Sequence, residues 1–105
     1  MDMARIKALC RRGAVQYTNH LMIRILQRGI DILDVEAAIS GGRIIQEYPE
    51  DYPYPSCLVL GGDRMNRPLH VVCGASEDAL WLVTAYHPDA SEWESDWATR
   101  RRETK

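Results

Sequence analysis

The sequence has no phenylalanine, only three cysteines, and no apolar run long enough to span a bilayer as a helix. The cysteines, at positions 10, 57 and 73, are odd in number and far apart, so neither a disulfide framework nor a closely spaced metal-binding pair is indicated. Such cysteine usage suits a reducing compartment, and no signal segment is recognisable. These absences predict a cytoplasmic protein with no membrane association, no metal and no cofactor.

A strong charge of one sign is also missing. Thirteen basic and fifteen acidic residues give a net charge of −2, which excludes a global field that attracts nucleic acid. The charges are nevertheless unevenly placed. Residues 1–30 carry six basic side chains and one acidic, whereas residues 31–63 carry one basic and seven acidic. A polyanion would therefore meet the N-terminal third and the basic run at residues 100–102.

The chain does contain enough hydrophobic residues for the core of one domain. Its 105 residues, 46% of them hydrophobic, predict a single domain over residues 1–105. Apolar residues at helical spacing, with capping residues before them and glycines after them, predict three helices. These run over residues 3–12, from a cap at Thr18 or Asn19 through Gln27 or Arg28, and from a cap at Asp31 to Gly41-Gly42.

After the third helix the pattern becomes strand-like. The expected strands are Arg43–Tyr48, Cys57–Leu60, Leu69–Cys73 and Leu80–His87, with residues 14–17 as an extended link and a turn at residues 61–63. Ser91 and Glu94 form a capping-box pattern that predicts a last helix carrying Trp93 and Trp97. The expected fold is α+β, with the N-terminal helices packed on a four-stranded antiparallel sheet and a helix at the C-terminus.

One polar stripe marks the second predicted helix. Four side chains at i, i+4, i+7 and i+8 share one face while apolar residues cover the rest: His20, Arg24, Gln27 and Arg28. Arginine is suited to contact phosphate with two hydrogen bonds, and histidine titrates near neutral pH. The other interpretation is an ordinary solvated face in which Arg24 or Arg28 pairs with Asp31 or Asp34.

His70 is the polar residue of an otherwise apolar predicted strand. A buried imidazole needs hydrogen-bond partners, so His70 is either a satisfied core histidine or faces a pocket. Thr84 and Tyr86 share one face of the next strand and are potential partners. The loop over residues 74–79 does not fix the register, so whether they share the face of His70 stays open.

The other candidate residues carry weaker signals. His87 precedes a proline and is expected in a loop. A zinc site built from the three histidines and the cysteines lacks ligand spacing. The tyrosine- and proline-rich segment over residues 48–55 could stack on bases, but rings that anchor a surface loop to the core are the more ordinary interpretation.

Several of these segments occur in an order that resembles a known group of proteins. The matching pieces are His20…Arg24…Arg28-Gly29-Ile30, Ala38-Ile39-Ser40-Gly41, Ile44-Ile45…Tyr48-Pro…Asp51-Tyr52-Pro, Pro68-Leu69-His70-Val71-Val72 and Thr84-Ala85-Tyr86-His87-Pro88-Asp89…Trp93. Together, over about residues 15–97, they resemble an uncharacterised bacterial domain family often encoded beside a YgiT-type zinc-finger antitoxin. In outline that family is similar to the RelE/BrnT-like toxins.

The resemblance implies a metal-independent endoribonuclease that activates a ribose 2′-hydroxyl. On this resemblance His20 and His70 are expected to form the acid–base pair, with Arg28 neutralising the phosphate and Tyr86 as a further donor. Arg24, Gln27 and Thr84 are then expected to bind substrate. RNA and a cognate zinc-finger antitoxin are the expected partners. The alternatives are a non-catalytic module that binds a protein or ligand through the His/Arg helix face, and a structural homodimer that uses the tryptophan helix.

Overall fold

The computed structural model describes residues 2–102 of the chain, and within that range it contains three helices and five strands. In chain order these are α1 (Met3–Arg11), β1 (Val15–Tyr17), α2 (Asn19–Arg28), α3 (Ile32–Ser40), β2 (Arg43–Tyr48), β3 (Ser56–Gly62), β4 (Pro68–Ala75) and β5 (Leu80–Tyr86). The predicted α+β class is confirmed. No helix of this described range is long and apolar enough to cross a membrane.

Side-chain caps set the start of each helix. Asp2, Thr18 and Asp31 have extended backbones, and each side chain accepts a hydrogen bond from a backbone N–H in the first turn that follows. Helix α2 ends at Gly29, whose φ of 65° is the left-handed conformation that closes a helix without a steric penalty on a side chain. The expected bounds of the three N-terminal helices are therefore confirmed to within a residue or two.

The five strands form one mixed sheet in the order β1-β5-β4-β3-β2. Strands β2 to β5 are successive antiparallel neighbours, as predicted. All three helices pack on one face of this sheet, where apolar residues of α1, α2 and α3 meet alternate residues of β3, β4 and β5. In β4 these are Leu69, Val71 and Cys73, each with no exposed surface. Residues between them, including His70 and Val72, therefore lie on the opposite face, here called the free face.

The prediction of a purely antiparallel four-stranded sheet is wrong in one respect. Residues 15–17, expected as a link, form the fifth strand and pair in parallel with β5, Val15 opposite Leu80. Three residues are too few to show a strand period, and their partner lies 65 positions further along the chain. Bulges in β2 and in the β4–β5 pairing also shift the ladders locally.

The predicted C-terminal helix is also wrong. In the described part of the chain, residues 88–102 form turns and one isolated bridge, Trp93 opposite Arg100. Asp89 accepts a hydrogen bond from the N–H of Ser91, and Asp96 accepts from the N–H groups of Ala98 and Thr99. Aspartates that bind nearby backbone donors favour turns over helix. This C-terminal segment folds back over the free face, and Trp93 is buried there.

Candidate functional site

The register of β4 and β5 answers the question that the loop left open. His70 lies directly opposite Tyr86, and Val72 lies opposite Thr84, so these side chains share the free face. The His70 Nδ1 is 3.2 Å from the Tyr86 hydroxyl oxygen, and its Nε2 is 2.7 Å from the Trp97 carbonyl oxygen. A carbonyl only accepts, so Nε2 carries the proton and Nδ1 accepts the hydrogen bond that Tyr86 donates.

His70 is completely buried under the C-terminal segment. The edge of Trp93 meets its ring at a centroid distance of 4.5 Å and an angle of 90°. Burial lowers the pKa of His70 below its ordinary 6.5, so the ring is neutral at pH 7. Both ring nitrogens are engaged and the residue has no exposed surface. A substrate on this face would reach the partly exposed Tyr86 and not His70.

Arg28 reaches the same place from the last turn of α2. Strand β1 pairs only with residues 80–82, which leaves the edge of β5 open further along. The Arg28 Nη1 donates to the Ala85 carbonyl at 2.8 Å and to the Thr84 hydroxyl at 3.4 Å. Its guanidinium carbon is 5.9 Å from the centre of the Tyr86 ring. Both contacts are made by Nη1, so the N–H groups on the other two guanidinium nitrogens are left for a ligand.

Tyr86 therefore stands between a buried neutral imidazole and a fixed cation. Burial raises the pKa of its phenol above the ordinary value of 10, although Arg100 and Arg28 both act in the opposite direction. Tyr86 thus keeps its proton at neutral pH and donates it to His70. We call Arg28, His70, Thr84 and Tyr86 the β5 cluster, since all four meet at the last residues of that strand. These are four of the seven site residues that the sequence singled out.

The other three predicted residues lie elsewhere on α2. Arg24 donates to the Gln27 side chain at 3.3 Å, and both are exposed. His20 is exposed, and within the described residues it makes no hydrogen bond or ion pair. Eight residues of helix separate His20 from Arg28, or about 12 Å at 1.5 Å per residue. The structure therefore gives no contact between His20 and the β5 cluster, and the paired role of His20 with His70 stays a prediction.

The alternative interpretation of the α2 stripe paired Arg24 or Arg28 with Asp31 or Asp34, and the described residues form none of these ion pairs. Asp34 and Asp31 instead face Arg64, at 2.8 and 3.6 Å from its guanidinium nitrogens. Hydrogen bonds from Arg64 lower the pKa of Asp34 below its ordinary value. Arg64 follows the β3 strand and lies outside every motif singled out from the sequence. Arg24 and Arg28 are consequently without a carboxylate partner in the described part of the chain.

The remaining histidine and the cysteines stand apart from the β5 cluster. The His87 Nδ1 is 2.8 Å from the Pro68 carbonyl oxygen. Cys57 and Cys73 face each other across β3 and β4 with their sulfurs 3.8 Å apart in the core. The hydrogen-bond contact with Cys57, together with burial, raises the pKa of Cys73. Within residues 2–102 no three His, Cys, Asp or Glu side chains are grouped so that they could hold a metal ion.

A second feature of the free face was not predicted. A cavity of about 340 Å³ lies between the β3–β5 strands and the segment over residues 51–54. Its walls include Tyr54 and Trp81, whose rings stack at 6.0 Å. The tyrosine-rich segment was the only sequence signal for it. Tyr54 packs on Trp81, which lies outside the core, and Tyr52 is 95% exposed, so neither ring anchors the segment to the core and stacking on a base stays a prediction. Trp81 itself gave no signal, since it lies in an apolar strand pattern.

Comparison with known proteins gives a match to a family model. A family model described as Domain of unknown function (DUF4258) matches residues 17–87, which include α2, the whole β2–β5 meander and all four residues of the β5 cluster. No curated protein and no solved structure matches.

Proposed function

The chain belongs to the DUF4258 family of domains of unknown function, and from the β5 cluster we propose that it is a metal-independent endoribonuclease that uses the 2′-hydroxyl of its RNA substrate. The observation that carries the proposal is the convergence of Arg28, Tyr86 and His70 at one end of β5. A fixed cation can stabilise the charge that develops on a phosphodiester, and a hydrogen-bonded phenol–imidazole pair can take the proton of the attacking 2′-hydroxyl.

Arg28 is assigned to the phosphate. Its Nη1 is held by the Ala85 carbonyl and Thr84, so the guanidinium is oriented before any ligand arrives. Fixed donors that need not reorganise stabilise a developing charge most effectively. The remaining N–H groups of Arg28 neutralise the phosphorane, whose charge exceeds that of the starting diester. The Thr84 hydroxyl fixes the guanidinium as a positioning group.

Tyr86 and His70 are assigned to the proton of the nucleophile. As the ribose O2′ forms its bond to phosphorus, its proton passes to the Tyr86 oxygen while the phenol proton passes to Nδ1 of His70. The bond between phosphorus and O5′ breaks, and O5′ takes a proton from water. The products are a 2′,3′-cyclic phosphate and a 5′-hydroxyl. His70 then returns its proton through Tyr86 to solvent.

In this assignment His70 is a positioning residue and proton acceptor that never touches RNA. The Trp97 carbonyl keeps the Nε2 proton in place, and this leaves Nδ1 as the acceptor. The lowered pKa of His70 keeps the ring neutral, and so able to accept, at pH 7. His20, Arg24 and Gln27, on the exposed stripe of α2, are assigned to the RNA backbone beyond the cleaved bond.

The test is cleavage of a long single-stranded RNA by the purified protein in EDTA. Tyr86→Phe keeps the ring but removes the proton path, and we expect the rate to fall at least about 10²-fold. The variant should stay folded in the assay, at a cost in stability of about 1–3 kcal/mol because the buried Nδ1 of His70 loses its donor. Arg28→Lys should lose a similar factor because lysine cannot match the two-donor geometry. Arg12→Ala, an exposed cation at the end of α1, is the control and should cleave saturating RNA at the rate of the parent protein.

A second function, binding a protein partner without catalysis, is supported by a different observation. Three apolar side chains of α2, Met22, Ile23 and Leu26, are 46%, 56% and 83% exposed. With Ile30 and Ile32 they border a shallow groove of about 460 Å³. Exposed apolar patches of this kind mark interaction sites. No cleavage by the parent protein would favour this second function over the nuclease, whereas full cleavage by both Arg28→Lys and Tyr86→Phe would overturn the β5 cluster as the nuclease site.

A further inference from the structure

The cavity on the free face has a floor made by three neighbouring strands. Ser56, Gly74 and Trp81 lie side by side across β3, β4 and β5, because Ser56 pairs with Gly74 and Gly74 pairs with Trp81. The segment over residues 51–54 forms its wall. A volume of about 340 Å³ falls in the range of small-molecule sites. The structure therefore holds a preformed recess beside the β5 cluster.

The lining combines aromatic rings with a few polar groups. Tyr54 and Trp81 stack on each other. Tyr52 also lines the cavity, and it is 95% exposed to solvent. The Asp51 carboxylate accepts a hydrogen bond from the Ser56 hydroxyl through one oxygen. Its other oxygen is open to a further donor. The cavity thus offers a ring surface for stacking and a carboxylate acceptor in the same wall.

Trp81 adds an unsatisfied donor. Within the described residues its Nε1 is the buried side-chain polar atom that has no hydrogen-bond partner. A buried donor without an acceptor is costly, and native structures rarely leave one so. Nε1 has almost no accessible surface, so an acceptor brought by a ligand would reach it, and remove that cost, when the Tyr54 ring moves off Trp81. The ligand class that fits is a flat ring with adjacent donors for Asp51 and an acceptor for Trp81.

The position of the cavity links it to the proposed chemistry. Val72 lines the cavity and pairs with Thr84, the hydroxyl that contacts Arg28. Val83, the next residue back along β5, also lines it. A nucleotide whose phosphate lies at Arg28 therefore places its neighbouring base toward the cavity. Sequence-specific recognition of RNA relies on such unstacked bases, held on aromatic rings and read along their edges.

We propose that this cavity binds one unstacked base of single-stranded RNA and prefers guanine. The proposal rests on the proposed nuclease function and names the specificity of that site. Guanine presents two neighbouring N–H donors, which match a carboxylate, beside acceptor atoms that match an indole N–H. Adenine, cytosine and uracil each lack that pair of adjacent donors. Tyr52 supplies the ring on which the base stacks.

The experiment is calorimetric titration of the full chain with the four 5′-nucleoside monophosphates. The phosphate is common to all four, so differences in affinity report the base. We expect GMP to bind at least about tenfold more tightly than AMP, CMP or UMP. Equal affinities for the four nucleotides, or no binding of GMP at millimolar concentration, would overturn the proposal.

Two variants identify the groups that read the base. Trp81→Phe removes the N–H and keeps a ring, and we expect GMP affinity to fall about tenfold while the protein becomes no less stable, since the donor it loses was unpaired. Asp51→Asn should reduce GMP affinity by tenfold or more. Glu50→Gln, the adjacent carboxylate outside the cavity lining, is the matched control and should bind GMP normally. Unchanged GMP affinity in both cavity variants would contradict the assignment.

The two proposals fail in different ways. GMP preference without RNA cleavage would leave the base site standing and overturn the nuclease. Cleavage that depends on Tyr86 but shows no preference for guanine, in binding or in the products, would leave the nuclease standing and overturn the base site.

Discussion

At the scale of single residues, His70 shows how burial turns a titratable group into a stabilising neutral one. Its Nδ1 accepts from Tyr86 and its Nε2 donates to a backbone carbonyl, so in the resting folded protein a second ring proton would displace the hydrogen bond from Tyr86 and is disfavoured. The unfolded chain does accept that proton near the ordinary pKa of 6.5. The difference couples the stability of the fold to pH in a defined window.

We expect the free energy of unfolding to fall as the pH drops below 6.5. The pKa of His70 is lower in the folded protein than in the unfolded chain, so only the unfolded chain binds a proton there, and its contribution to stability is complete above pH 6.5. One such proton gives a slope of at most about 1.4 kcal/mol per pH unit. Asp34 also has a lowered pKa, but it titrates at more acidic pH.

Denaturation in urea between pH 7.5 and 5 measures this slope. His70→Gln should be less stable than the parent protein at pH 7.5 and should lose that part of the slope that His70 causes. His20→Gln, at an exposed position, is the control and should keep the slope of the parent protein. A slope that survives in His70→Gln would show that another group is responsible.

At the scale of secondary structure, the packing of α3 on β3 depends on one glycine. A Cβ atom at Gly61 would lie 1.9 Å from the carbonyl oxygen of Ala38 and 2.6 Å from its carbonyl carbon. The obstacle is helix backbone, which no side-chain rotation can move. The helix and the strand are therefore in contact backbone to backbone at this point.

We expect Gly61→Ala to destabilise the protein by about 3 kcal/mol or more, at the upper end of what overpacking costs. Gly41→Ala is the matched control at the end of α3. Its Cβ would meet nothing closer than an oxygen at 4.0 Å, and its φ of −105° suits any residue, so its effect should stay within about 0.5 kcal/mol. Thermal or urea unfolding checks both variants, and equal effects would contradict the backbone clash.

The helices and strands differ in how well the sequence predicts them. Thr18, Asp31 and Gly29 cap their helices as expected because a cap depends only on residues within a turn. Strand β1 was missed because its three residues have no local period and pair with β5 far along the chain. The prediction of the last helix was wrong because Asp89 and Asp96 accept hydrogen bonds from nearby backbone N–H groups, which favours turns. Trp93 is also buried against the free face of the sheet, and no local sequence pattern predicts that contact.

In the candidate site, too, some features could be predicted from the sequence and others could not. Arg28 could be found from the stripe of α2, and Tyr86 from its place on β5. That His70 and Tyr86 lie opposite each other depends on a strand register, and a bulge beside Val72 and Cys73 makes that register irregular. The Ala85 oxygen that holds Arg28 and the Trp97 oxygen that holds His70 are backbone carbonyls, and any residue type supplies a carbonyl. The sequence therefore predicts the reactive side chains better than the atoms that hold them.

At the scale of the whole molecule, the C-terminal segment acts as a cover that is fastened by Trp93. This side chain is 2% exposed, packs on the ring of His70, and lies under the guanidinium of Arg100 at 5.0 Å. The free face of the sheet would otherwise expose His70 and its apolar neighbours to water. Trp93 thus joins the last described residues to the sheet.

We expect Trp93→Ala to cost about 3–5 kcal/mol, the usual loss for a buried tryptophan. Trp97→Ala is the matched control, because its contribution to His70 is a backbone carbonyl that alanine also provides, and it should lose clearly less. Urea denaturation followed by far-ultraviolet circular dichroism measures both without relying on tryptophan emission. Equal losses of unfolding free energy in the two variants would argue that the burial of Trp93 does not hold the C-terminal segment on the sheet.

The pairing of β1 with β5 also bears on the synthesis of the protein. Val15 has left the ribosome's catalytic centre 65 residues before Leu80 is added, which at roughly 5–20 residues per second is an interval of about 3–13 seconds. The acceptor of Arg28 and the carbonyl that holds His70 are made later still, at Ala85 and Trp97. The β5 cluster and its cover are therefore incomplete in the growing chain until Trp97 has been added.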